Sequence, residues 1–191
     1  MNKLPRALIV IAPGFEDIEA VAPIDVLTRV GVEVVLASTI SGPVRAAYGT
    51  TIVPDCDLSD LSGDFDAIIC PGGKANAVSL AADQIVVNLV RHYFQSGKLV
   101  AAICAAPSHV LGESAGILQG VRAAGDPGFM DKLASSGAII SREPVCVDRN
   151  VITASGPGSA LSFALSIAAY LVGPEAVQNY SDRWSVGFVV S

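Results

Sequence analysis

Apolar residues gather along this chain in short unbroken runs, each closed by glycine, proline or polar residues: Ala7 to Ala12, Val32 to Ala37, Ala67 to Cys70, Leu99 to Ile103 and Val151 to Ala154. Runs of this length without alternation predict strands buried on both faces, as in a parallel sheet. Between them the spacing predicts amphipathic helices over Asp17 to Arg29, Asp83 to Gln95, Pro107 to Glu113 and Ser159 to Val172. Strand and helix therefore alternate, which implies right-handed crossovers and an α/β, doubly wound, mostly parallel sheet with helices on both faces. No linker or repeat interrupts the pattern, so residues 1–191 are expected to form one domain.

In open sheets of this kind, ligands sit beyond the carboxyl ends of the strands. The residues there are Pro13-Gly14-Phe15-Glu16-Asp17-Ile18-Glu19, Pro71-Gly72-Gly73, Cys104-Ala105-Ala106-Pro107 and Ser155-Gly156-Pro157-Gly158. Cys104 closes a strand and precedes Pro107, a residue favoured in the first turn of a helix. The small residues around it leave room for a sharp, strained elbow that pushes the sulfur into the crevice. A helix N-terminus there is expected to lower the thiol pKa; the plainer reading is one more buried small hydrophobe. Glu19 is the natural partner, three residues from Glu16 and on the same helix face, and a carboxyl facing a thiol in a desolvated cleft has its own pKa raised. The plainer reading is an acidic first turn that favours the helix dipole, with Asp17 in the same part. The glycine turns would offer backbone N–H groups to an oxyanion. His109 is expected to pack or to face solvent rather than to serve Cys104 as a base.

Composition narrows the function. The 191 residues are 51% hydrophobic and 16% charged, ample for a buried core, and 12 Lys plus Arg against 18 Asp plus Glu give a net charge of −6. The pI near 4.7 argues against a nucleic-acid partner. No uncharged apolar stretch approaches the roughly 18 residues of a membrane span, and no secretory leader is visible, so a soluble cytoplasmic protein is expected despite a mean hydropathy of +0.54. Cys56, Cys70, Cys104 and Cys146 form no C-x-x-C pair and read as reduced thiols. With two histidines in the chain, an imidazole-based metal site is not expected. Neither glycine-rich nucleotide motif is present, so no cofactor is expected.

Taken together, Ala7-Leu8-Ile9-Val10, Gly14 to Glu19, Pro23 to Leu27, Cys70-Pro71-Gly72-Gly73, Ala101 to Pro107 and Thr153 to Ser159 occur in the order and spacing of the ThiJ/PfpI superfamily. The chain resembles in particular its branch of glyoxalases and protein or nucleotide deglycases. The resemblance implies a flavodoxin-like sandwich, related to the class I glutamine amidotransferases, and a homodimer. It also implies Cys104 as the elbow nucleophile, Glu19 as its protonated partner, and oxyanion contacts from Gly73 and Ala105. Where some members carry a histidine before proline, this chain has Asp126 before Pro127; where some carry a basic residue, it has Ser155 and Tyr48. Asp126, Gly72 and Ser155 are candidate substrate contacts.

The leading expectation is a glutathione-independent enzyme in which Cys104 adds to a 2-oxoaldehyde such as methylglyoxal and Glu19 relays protons to give a 2-hydroxy acid. Two alternatives keep the same elbow. One is a stress-response redox sensor oxidised at Cys104. The other is a thiol hydrolase of amidotransferase type, weakened because Ala105 stands where the protease branch places a histidine.

Overall fold

All five apolar runs form strands. The computed structural model describes residues 4–184, in the order β1 (Arg6–Ile11), α1 (Asp17–Arg29), β2 (Glu33–Ser38), β3 (Val44–Arg45), β4 (Thr51–Ile52), β5 (Cys56–Asp57), β6 (Ala67–Cys70), α2 (Lys74–Ala82), α3 (Gln84–Gln95) and β7 (Leu99–Ile103). There follow a π-helix (Pro107–Ser114), β8 (Arg122–Ala123), α4 (Met130–Ser135), β9 (Ile139–Ile140), β10 (Val145–Asp148), β11 (Val151–Ala154), α5 (Ala160–Val172) and α6 (Pro174–Arg183).

The main sheet has the order β10-β11-β7-β6-β1-β2-β5. It is parallel except for β10, which runs antiparallel to β11. Register runs across the centre from Ile9 to Ile69, on to Ala101, and from there to Ile152. Residues Ala7 to Ile11 and all of β6, β7 and β11 are buried, which is why these strands carry apolar residues without alternation. On one face α1 packs on α5, and α5 on α6; α2, α3 and the π-helix cover the other. This is a mostly parallel, flavodoxin-like α/β fold. The chain leaves β1 in one direction for β2 and returns on its other side for β6, so the strand order reverses between β1 and β6. Crevices form at the carboxyl ends of strands at such a reversal.

The helices follow their sequence signals in differing degrees. α1 has the predicted limits and buries Glu19, Ala20, Ala22, Pro23, Val26 and Leu27. Asp83, expected as the first residue of α3, is instead its cap, accepting from the N–H groups of Ile85 and Val86. The segment expected as an ordinary helix from Pro107 is wound as a π-helix, with Ala115 N–H reaching back to the Val110 carbonyl at 2.8 Å. The two-residue strands β3 with β4 and β8 with β9 form separate small sheets, and neither pair was predicted, nor were α2, α4 and α6. None of the helices among the described residues is long and apolar enough to cross a membrane.

Candidate active site

Cys104 follows β7 directly and has φ of 63°, one of two non-glycine residues with positive φ among those described. An L-residue there is strained by about 1–2 kcal/mol, and two backbone bonds hold it. Its N–H donates to Ala154 O on neighbouring β11, and its carbonyl accepts from Asp126 N, both at 2.9 Å. The left-handed turn redirects the chain from strand to π-helix and leaves the sulfur in the wall of a cavity of about 560 Å³. That wall is formed by Gly14, Glu16, Ala47, Tyr48, Gly73, Lys74, Ala75, Cys104, Ala105, Asp126, Phe129 and Pro157.

Glu19 reaches the same point from α1. Glu16 caps the helix, its carboxylate accepting Glu19 N–H at 2.9 Å, so the two residues divide the work of the first turn instead of sharing a face. Glu19 is wholly buried; its Oε2 accepts Gly72 N–H at 2.8 Å, and Oε1 has no hydrogen-bond partner. Burial, and then repulsion from Glu16, push its pKa up to about 7, although the Cys104 side chain and the Gly72 bond pull the other way. Asp17, for its part, accepts the N–H groups of Tyr48 and Thr50 at 2.9 Å and ties the loop carrying Ala47 and Tyr48 over the cavity.

The thiol differs from the sequence expectation. Burial above all, then the neighbouring Glu19 carboxyl, push its pKa up to about 12; the Gly73 N–H favours the thiolate, while the bond and charge of Asp126 oppose it. The helix-start effect is outweighed above all by burial of the sulfur, and then by the Glu19 and Asp126 carboxyls beside it. In these surroundings the protonated form of Cys104 is favoured. Its Sγ donates to Asp126 Oδ2 at 3.4 Å, while Asp126 Oδ1 accepts Gly128 N–H at 2.7 Å.

The other candidates separate. Gly73 and Ala105 line the cavity. Gly72 does not: its N–H is taken by Glu19, and its carbonyl accepts from Glu16 N and from Asn76 Nδ2, both at 3.1 Å. Ser155 also lies outside the wall, half-buried, with its hydroxyl 3.4 Å from Ser159 Oγ. His109 is packed. Its Nδ1 lies 2.9 Å from the Ala105 carbonyl, so that nitrogen carries the proton, and its ring meets Phe129 edge-on at 4.7 Å.

Three residues were missed in the sequence. Asn76 is fully buried and joins Ala12 N–H at 2.6 Å to the Pro71 and Gly72 carbonyls, holding two strand ends together. Lys74 and Phe129 are part of the wall, and Lys74 brings a cation to a cavity whose other charged wall residues are Glu16 and Asp126. No cluster of three or more metal-ligating side chains occurs among the described residues.

The sequence matches the model of the DJ-1/PfpI family over residues 5–170. The chain belongs to that family. "Protein dj-1beta" of Drosophila melanogaster is 36% identical over 184 residues, covering 95% of this chain and 97% of that protein. The "Glutathione-independent glyoxalase DJR-1.2" of Caenorhabditis elegans is 38% identical over 175 residues, covering 91% and 92%. Among solved structures, "Toxoplasma gondii DJ-1, oxidized" superposes with a TM-score of 0.90 at 33% identity, covering 96% of this chain and all of that one. Within the DJ-1/PfpI family, then, this chain brings together Cys104, Glu19 and Asp126 at the sheet reversal.

Proposed function

We propose that this protein is a glutathione-independent glyoxalase acting on 2-oxoaldehydes such as methylglyoxal, with deglycase action on related adducts by the same addition chemistry. The observation that carries the reading is a thiol on a strained elbow beside a buried carboxyl that keeps its proton up to about pH 7. The likeness to a nematode protein named for this activity supports it. The Cys104 sulfur bonds to the aldehyde carbon, the aldehyde oxygen takes a proton, and a hemithioacetal results. Its C1 proton is removed and a proton is delivered to C2, which oxidises C1 and reduces C2 with no outside oxidant. Water then cleaves the thioester to the 2-hydroxy acid and free thiol. Glu19, desolvated and with one oxygen unpartnered, serves as the relay between the two carbons. The Gly73 N–H stabilises negative charge at the developing centre.

Oxidative sensing through Cys104 is the second reading: burial raises the thiol pKa, and the thiolate is the form that peroxide attacks. A hydrolase of amidotransferase type lacks a histidine base, since His109 Nδ1 is bonded to the Ala105 carbonyl. The working form in this reading is a homodimer without cofactor, and Ile18 and Val21, exposed on α1, suit an interface. Wild type incubated with methylglyoxal without glutathione is expected to release lactate with turnover, and Cys104→Ser to release none. Lactate release unchanged in Cys104→Ser removes the reading.

A further inference from the structure

The turn after β6 sets Gly72 and Gly73 side by side, with no room for a side chain between α1 and β7. A peptide between two glycines rotates easily, yet the Gly73 N–H is the donor on which the addition step relies. We propose that Asn76 is the positioning residue of this site: its side-chain amide fixes two consecutive peptide planes, so that one N–H is held on Glu19 and the next on the Cys104 sulfur. The inference rests on the glyoxalase reading and adds to it the group that orients its donors.

The bonding pattern carries it. The peptide bonds of the described residues are trans, and in a planar trans unit the carbonyl and the N–H point opposite ways. Asn76 Nδ2 donates to the Pro71 carbonyl at 2.8 Å; the N–H of that same peptide, Gly72 N–H, donates on the far side to Glu19 Oε2 at 2.8 Å. Asn76 Nδ2 also donates to the Gly72 carbonyl at 3.1 Å, and the N–H of that peptide, Gly73 N–H, faces the Cys104 sulfur. The clamp is itself anchored: Asn76 is wholly buried, and its Oδ1 accepts the N–H of Ala12, just after β1, at 2.6 Å. Glu16 N–H shares the Gly72 carbonyl at 3.1 Å, so β1, α1 and α2 meet at this turn.

Each oriented N–H has a use. Gly73 lies on the cavity wall beside Cys104, where negative charge gathers on sulfur and then on the carbonyl oxygen under attack. Gly72 N–H holds one oxygen of Glu19 and leaves Oε1 without a partner. Rotation of either plane by half a turn would present a carbonyl oxygen where a donor is needed. A donor fixed before the reaction costs no reorganisation as charge develops. Asn76 is not part of the cavity wall, so it acts through these two N–H groups and not on the substrate.

Asn76→Asp keeps the shape of the side chain and the acceptor for Ala12 N–H while losing the amide donors, and Asn76→Ala removes the clamp without adding charge. Leu80→Ala, fully buried in the same helix, is the control for lost packing. The readouts are thermal unfolding, kcat and KM for lactate formation from methylglyoxal, and the pH midpoint of Cys104 alkylation by iodoacetamide, mapped by peptide mass spectrometry. In both Asn76 variants kcat is expected to fall about 30-fold with KM within about twofold of wild type. The alkylation midpoint is expected to rise by about one pH unit as the Gly73 N–H leaves the sulfur. Leu80→Ala is expected to melt earlier with kcat and midpoint at wild-type values. A wild-type kcat in the Asn76 variants, a midpoint that moves in Asn76→Asp alone, or equal changes in Leu80→Ala overturns the role of Asn76 and leaves the glyoxalase reading standing. Absence of lactate from wild type removes the glyoxalase reading, and the alkylation midpoint then decides by itself whether Asn76 holds the Gly73 N–H on the sulfur.

Discussion

Two glycine turns of similar sequence close neighbouring parts of the sheet, and they are built differently. In the turn after β6, a Cβ on Gly72 would lie 2.6 Å from Cys104 Cβ and 2.9 Å from the Ile103 carbonyl, and would press on Glu19 Oε2. Gly73 has φ of 84°, and a Cβ there would lie 2.8 Å from Glu16 N. In the turn after β11, a Cβ on Gly156 or Gly158 meets nothing within 4 Å. That turn is closed by its own residues, with Ser159 Oγ donating to the Gly156 carbonyl at 2.7 Å. Glycine is required at Gly72 and Gly73 because α1 and β7 need the space; at Gly156 and Gly158 no neighbour makes that demand. Similar strings thus mark a shared junction in one place and a local helix start in the other.

The sharpest way to break this comparison is the same substitution in both turns. Gly72→Ala is expected to cost about 4 kcal/mol, from overpacking against Cys104 and loss of the bond to Glu19. Gly156→Ala, in extended backbone, should stay within about 0.5 kcal/mol of wild type. Denaturant unfolding of the two variants measures both. Equal losses would mean that the turns are equivalent after all.

How legible this was depends on what each part needs from its neighbours. The long strands were readable because burial on both faces writes a continuous apolar run, and α1 because its inward residues repeat at helical spacing. β5, β8 and β9 have two residues each, too few to show a period. α2, Lys-Ala-Asn-Ala-Val-Ser-Leu-Ala-Ala, has small residues on every side and little contrast between faces. Nothing in the sequence separates the π-helical winding after Pro107 from an ordinary helix. At the site, Cys104 and Glu19 stood out through the strand-end rule. The bond from the thiol to Asp126 did not, because it crosses a loop whose path only the folded chain defines. The direction of the thiol shift differs for a related reason: the helix-start argument counts one local dipole and omits the burial of the sulfur, and after it the two carboxyls brought in from distant segments.

Glu19 gives the next test of the first turn as a junction. Its folded-state pKa near 7 lies above the ordinary 4.5. The folded protein therefore holds this proton more tightly than the unfolded chain does, and stability is full below about pH 4.5 and lost as pH rises through 7. The shift corresponds to about 3 kcal/mol. Glu19→Gln, neutral throughout, is expected to gain on wild type by about that amount between pH 5 and pH 8.5, as read by urea unfolding at both pH values. A constant difference across that range would mean that Glu19 is ionised in the folded state, which would undo its part as proton relay.

The smallest expected effect belongs to the second turn and decides whether it takes part in chemistry. Ser155 stands at the end of β11, in the same layer as Cys104, yet it lies outside the cavity wall and its hydroxyl is 3.4 Å from Ser159 Oγ. That distance is long for an O–H to O bond, and Ser159 keeps its bond to the Gly156 carbonyl without it. Ser155→Ala should therefore change stability by less than about 0.5 kcal/mol, with lactate turnover within about twofold of wild type, since a group that gains nothing in the transition state removes nothing when deleted. A large fall in kcat with stability unchanged would mean that Ser155 turns toward the substrate during the reaction. The second turn would then belong to the site, and the contrast drawn from its glycines would hold for packing alone.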